Sequence, residues 1–291
     1  MSFSNWVSLI SAILGIPAAI LAIFAAFGMT PKVLYRKIKA KFKPAPPDNP
    51  FRKKGRLDNP QAFYKRESLL REIYGELKKG SSVVLLADEQ MGKSSILYHI
   101  FQLGKQEQSA LSQHQFVYLD LNQIHDGKDF FSALCDELQL PVDKIPNCRG
   151  YDLHKYLQGK KYVLCLDEIE RLTCDKFDRE MRDELRGLAE GESTPFTLLI
   201  ASHKPLNEVF ADLAHYQSPL ANICHTINIK PLRLDEVVGL IEQYLQGQRI
   251  QFSEEEIAGI FEQSQGHPYQ VQQLASDLYV KKQGSYSGVQ I

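Results

Sequence analysis

Between residues 7 and 28 the chain reads VSLISAILGIPAAILAIFAAFG, and every position is apolar or small. As a helix rising about 1.5 Å per residue, this stretch is roughly 33 Å long, which matches the hydrocarbon core of a bilayer. One transmembrane helix is therefore expected within residues 1–31. Beyond it the pattern changes. Residues 66–79 put Leu69, Leu70, Ile73 and Leu77 on one helical face and stop at Gly80. Short apolar runs at 82–87, 116–121, 161–166, 196–202 and 225–229 read as buried strands with helices between them, one of these at 177–189. Three more helices, at 234–246, 253–265 and 268–281, complete the pattern, and the last ten residues read as a loose tail. Apolar strands alternating with helices predict an α/β fold. Its parallel sheet has about five strands, its ligands gather beyond their carboxyl ends, and the three helices follow it on the C-terminal side.

Charge divides the chain the same way. The 291 residues carry a net charge of -1, with 44% hydrophobic and 24% charged residues, which excludes disorder as the main state. No charge occurs before Lys32, residues 32–56 total +9, and residues 57–291 total -10. A basic collar directly after an apolar helix places that side in the cytoplasm, with the short N-terminal tail outside. The expected localisation is a single-pass membrane protein of a prokaryotic inner membrane. The collar also attracts anionic headgroups, by about 1 kcal/mol per Lys or Arg. Nucleic-acid binding is the weaker reading, because the basic residues abut the membrane. The ladders Ser11, Gly15, Ala19 and Ala18, Ala22, Ala26 offer faces for helix self-association. The sequence KPAPPDNP at 43–50 is an extended spacer. The expected domains are thus an anchor at 1–31, a basic and Pro-rich linker at 32–59, a core at 60–230 and a lid at 231–291.

The apolar run at 82–87 leads into DEQMGKSSIL. Its Gly92, Lys93 and Ser94 form the end of a phosphate-binding loop that opens a helix, so the fold is a P-loop NTPase sheet. Gly92 lets the backbone approach phosphates, and the helix start, with Met91 and Ser95 beside it, presents free N–H groups. Lys93 can pair phosphoryl oxygens, and the Ser94 hydroxyl can hold Mg²⁺. Ala87 stands where the full pattern has Gly, and Asp88 and Glu89 put two carboxylates in an anion-holding loop. The second motif, KYVLCLDEIE at 161–170, is a strand ending in Asp167 and Glu168. There Asp167 can join Ser94 at the metal, and Glu168 can polarise the attacking water. ATP and Mg²⁺ are the expected ligands. Ser202 and His203 end another strand, where a polar group could sense the γ-phosphate. The cysteines show no CxxC spacing, and neither HExxH nor a nucleophile elbow is present, so zinc, protease and esterase readings have no support.

These residues resemble the STAND class of P-loop ATPases, close to the AAA-like archaeal and bacterial ATPase families. Phe63, Tyr64, Lys65, Arg66 and Glu67 resemble the F-x-G-R-E lead-in, with Lys65 in place of Gly. MGKSSIL resembles GKTSLL. SPLANICHTINIKPL at 218–232 resembles the passage into the lid, and QGHPYQVQQL at 265–274 resembles the GGHPYLLQ lid motif. The resemblance spans about 60–282. It implies a lid packed over the nucleotide, with His267 and Pro268 near its phosphates and base. It also implies homo-oligomers, a cytoplasmic or membrane protein partner, and signalling or defence as the setting. Relatives often carry an Arg near the end of the sensor strand, where this chain has His203 and Lys204. Arg182 and Arg186, one turn apart, are the candidates for an arginine finger across a subunit interface. Two functions follow as expectations: a slow ATPase switch on a membrane, or a non-catalytic tether with a degenerate nucleotide site.

Overall fold

A computed structural model describes residues 48–288, apart from 52–54, 61, 65, 105–110, 112, 142–144, 146–147 and 211–219, with the backbone alone at 285–288. The expected spanning helix at 7–28 and most of the basic collar lie outside the described residues, among which no helix is long and apolar enough to cross a membrane. The chain divides into Met1–Asp48 and Asn49–Ile291, and the second unit carries the sheet and the helices around it.

Five parallel strands form one sheet: β1 (Ser82–Leu86), β2 (Gln115–Asp120), β3 (Tyr162–Asp167), β4 (Phe196–Ser202) and β5 (Cys224–Asn228), in the order β2-β3-β4-β1-β5. The central strands are apolar throughout because both sheet faces are covered, and alternate residues serve opposite faces. On one face Val163, Cys165 and Leu199 meet Ile73 and Leu77 of helix α1 (Glu67–Lys78) and Ile96 and Ile100 of α2 (Lys93–Gly104). On the other, Leu164, Leu166 and Leu198 meet α3 (Gly127–Glu137), α4 (Gly150–Leu157) and α5 (Arg179–Gly187) through Phe130, Leu134, Leu153 and Leu185. Full burial of a side chain such as Ile73 or Leu77 contributes about 1.5–3 kcal/mol. The short turn α6 (Leu206–Val209) follows β4.

The lid comprises α7 (Leu234–Leu245), α8 (Glu254–Ser264) and α9 (Pro268–Gly288), so helix continues where a loose tail was expected. Ser253 caps α8 reciprocally with Glu256. Val237, Ile241, Ile257, Val271 and Tyr279 make the lid's own core. Phe51 belongs to that core too, 2% exposed and stacked 5.3 Å from Tyr244. Within the stretch read as a linker at 32–59, Asn49 and Phe51 pack against the lid, and we call the stretch from Asn49 to Asp58 the strap. Asn49 Nδ2 donates to Ser276 Oγ at 2.9 Å. The lid meets the core where Arg66 donates to the Lys230 carbonyl (2.7 Å) and the Tyr244 hydroxyl donates to the Ala62 carbonyl (2.9 Å).

Candidate functional site

The carboxyl ends of β1 and β3 point to one place. β1 stops at Leu86, the chain turns through Gly92 at φ +89°, and α2 begins at Lys93. A free helix start is an anion site because its first N–H groups have no intrahelical partner. Asp167 ends β3, with β4 between it and β1. Its Oδ1 nevertheless accepts from the Ser94 hydroxyl at 3.0 Å. Lys93 Nζ donates to the carbonyls of Ala87 and Asp88, both at 2.7 Å. Burial pulls the Lys93 pKa down, while the carboxylates of Glu170, Glu168 and Asp167 pull it the other way. Asp88 and Glu89 in this loop are both exposed, and Glu89 lines the cavity beside it.

Asp167 is 3% exposed, and burial raises its carboxyl pKa against hydrogen bonds from Tyr118 and Ser94 that lower it. Glu168 follows in a left-handed conformation, φ 59° and ψ 52°. For a residue with a Cβ this costs about 1–3 kcal/mol, and it breaks the strand direction directly after the buried acid. The Glu168 pKa is raised by partial burial and by the neighbouring charges of Asp167 and Glu170. Glu168, Lys93, Ser94 and Asp167 all line one cavity of about 820 Å³.

The lid closes the far side of that cavity through Leu232, Leu240, Pro268, Tyr269 and Gln272. Of the two lid residues that the resemblance puts near the nucleotide, Pro268 lines this cavity. His267 does not line the cavity, and its Nδ1 is buried with no partner among the described residues. Ser202 is fully buried and also does not line it. Its hydroxyl lies 2.8 Å from Glu170 Oε1 and 2.5 Å from the Lys204 carbonyl. The next residue, His203, is the one in the cavity, held by Glu170 through Nδ1 (2.7 Å) and its backbone N–H (2.6 Å). The expected sensor thus moves one position along the chain. Met91 and Ser95 also line the cavity, both largely buried, and the Ser95 hydroxyl accepts from the Leu57 N–H (3.1 Å).

The two arginines read as one pair separate. Arg182 is 4% exposed, donates to the carbonyls of Leu172 (3.0 Å) and Phe177 (3.1 Å), and lies over the Phe210 ring. It is a structural brace, and its candidacy as an arginine finger is withdrawn because the guanidinium is used inside the core. Arg186 is on the surface, paired in two hydrogen bonds of 2.7 Å with Glu190. Residues missed from sequence are Tyr118, Glu170, Asp120 and Arg56. The first three sit at or near strand ends, the location that could have found them. Arg56 was counted only in the basic collar.

The donor set fits a nucleotide with a divalent metal. Space is open above Gly92, where an added Cβ would meet nothing within 4 Å. A hydroxyl and a buried carboxylate stand 3.0 Å apart beside it, and a lysine that can exchange two carbonyls for phosphoryl oxygens completes the set. Among the described residues no group of three or more His, Cys, Asp or Glu could hold a metal alone.

Residues 53–287 match the model of the AAA-like domain family. Among solved structures, the Walker-type ATPase PABY2304 of Pyrococcus abyssi aligns with a TM-score of 0.57 at 14% identity, covering 82% of this chain and 76% of that one. The ADP form of the ORC2 protein of Aeropyrum pernix gives 0.56 at 14%, covering 82% and 67%. The Cdc6p protein of Pyrobaculum aerophilum gives 0.53 at 14%, covering 77% and 64%. At these identities the likeness concerns the fold. A comparison with curated proteins finds no match. The family match spans most of the chain and supports ATPase activity for a site with this geometry.

Proposed function

We propose that this chain, which belongs to the AAA-like domain family, is an ATP-dependent switch of the STAND type held at a membrane by residues 7–28. The observation that carries the reading is the pairing of Ser94 with buried Asp167 inside a cavity shared by core and lid. Lys93 leaves the Ala87 and Asp88 carbonyls to pair the β and γ oxygens of ATP. Ser94 and Asp167 hold Mg²⁺, and Glu168 orients and deprotonates the attacking water. Bound ATP supplies the phosphoanhydride that is cleaved. His203, fixed by Glu170, faces the same cavity and reports whether the terminal phosphate is present. Tyr269 and Gln272 line the cavity too, so nucleotide occupancy acts on the lid directly.

The output is assembly. The part-exposed Arg186 can exchange Glu190 for a neighbouring subunit's phosphate, because a surface ion pair holds by only about 1 kcal/mol or less. The apolar segment with its +9 collar supports membrane attachment with the domain on the cytoplasmic side, and signalling or defence as the setting. Mass measurement of the detergent-solubilised chain, with and without a nonhydrolysable ATP analogue, tests the reading. Larger assemblies with the analogue, absent in Lys93→Ala, are expected. Unchanged mass together with an unaffected Lys93→Ala variant refutes the switch. Binding without turnover, equal in Glu168→Gln, would indicate the non-catalytic tether instead.

A further inference from the structure

The two oxygens of the Asp167 carboxylate have different partners. Oδ1 takes the Ser94 hydroxyl, and Oδ2 takes the Tyr118 hydroxyl at 2.6 Å. Tyr118 in turn accepts from Arg56 Nη1 at 2.5 Å. The Arg56 guanidinium lies 4.3 Å from the Tyr98 ring centre and 5.0 Å from that of Tyr118, and Asp58 Oδ1 holds its Nε at 2.8 Å. One residue on, the Leu57 N–H donates to Ser95, next to Ser94 on α2. Arg56 and Leu57 belong to the strap whose other end, Phe51, is buried in the lid core. A single short segment therefore touches the lid core, the metal-side helix and the metal-side carboxylate.

We propose that Tyr118 is a positioning residue for the metal-holding carboxylate, and that Arg56 ties the strap to it, so that a docked strap sets how tightly the site holds Mg²⁺. The inference rests on the reading of Ser94 and Asp167 as the metal-side pair. The physical basis is a donor chain. Arg56 N–H polarises the Tyr118 O–H, which fixes the carboxylate's rotation and leaves Oδ1 with Ser94 on the cavity side. The Tyr118 hydroxyl donates to Asp167 Oδ2 while accepting from Arg56, so the geometry itself sets its direction. A strap pulled away removes Arg56 from Tyr118 and Leu57 from Ser95 together, loosening both sides of the metal position.

The test titrates Mg²⁺ into the full detergent-solubilised chain with a fluorescent nonhydrolysable ATP analogue and reads binding alone. Tyr118→Phe should raise the Mg²⁺ concentration for half-saturation about 10-fold, with metal-free affinity for the analogue unchanged. Arg56→Met should shift it the same way by a smaller factor, and Arg56→Lys should recover part of the shift. Should Tyr118→Phe fail to fold, the part-exposed Arg56 variants carry the test. An unchanged Mg²⁺ requirement, in a chain whose Mg²⁺-dependent binding is lost in Lys93→Ala, overturns the inference and leaves the nucleotide site standing. Equal losses with and without Mg²⁺ also overturn it, since they denote general damage. If the unaltered chain binds the analogue independently of Mg²⁺, the underlying reading fails and the inference falls with it.

Discussion

The phosphate loop and the lid turn are each built on a glycine with positive φ, and they use it for opposite reasons. Gly92 has φ +89° and nothing within 4 Å of an added Cβ. Gly266 has φ +73°, but its added Cβ would lie 1.9 Å from the Leu232 carbonyl oxygen. Its own carbonyl accepts the Leu232 N–H at 2.8 Å. The first glycine keeps space clear for a ligand, and the second lets two backbone segments of the lid touch. In sequence, GKS and GHP look alike as punctuation before a helix. Their surroundings show that substitutions at the loop should act on binding, whereas those at the lid turn should act on stability.

The largest expected effect is Gly266→Ala. The clash is with backbone and cannot be relieved by a rotamer change, so a loss of about 3 kcal/mol or more is expected in thermal or denaturant unfolding. A loss under about 1 kcal/mol would break the contrast between the two turns. Glu236→Ala should follow, at about 2 kcal/mol. Glu236 is 8% exposed, accepts the Arg233 N–H at 2.9 Å and faces Arg66 across the lid joint at 3.9 Å. Gly92→Ala should cost only about 1–2 kcal/mol in the free chain, from the left-handed backbone alone. Nucleotide affinity should nonetheless fall at least about 10-fold, because the methyl group occupies the ligand's approach. Equal affinity in that variant would place the phosphates elsewhere.

A subtler test of the loop side is its pH dependence. A general base works deprotonated, and the pKa of Glu168 is raised by partial burial and by Asp167 and Glu170. The acid limb of kcat/KM should therefore lie above the usual carboxylate range and disappear in Glu168→Gln with the activity. A limb at the ordinary glutamate position would remove Glu168 from the role. Smallest is Arg186→Ala, which should change stability by less than about 1 kcal/mol because its pair with Glu190 is solvent-exposed. If Arg186 completes a neighbour's site, turnover should fall only at concentrations where subunits associate.

The α/β order, the strand that carries the buried acid and the loop that carries Lys93 were legible because each leaves a local pattern: an apolar run, then a motif at its carboxyl end. The three lid helices were expected at close to their observed bounds, and the lid itself through the resemblance of residues 218–232 and 265–274. The roles of Ser202 and His203 were not, since which of two neighbouring polar residues enters the cavity depends on Glu170, a residue on another strand's exit. Arg182 and Arg186 sit on the same predicted helix and differ only in what lies above them. Arg56 looked like one more charge in a basic run, and Phe51 like part of the linker at 32–59.

By itself the sequence determined the elements, their order and the phosphate chemistry, because periodicity, glycine punctuation and strand-end acids act within a few residues of chain. Tertiary structure alone decided which polar groups share a cavity, which arginine is spent inside the core and where the strap docks. Those outcomes depend on contacts between segments distant in sequence, such as Arg56 with Tyr118 and Phe51 with Tyr244, and no local pattern encodes them.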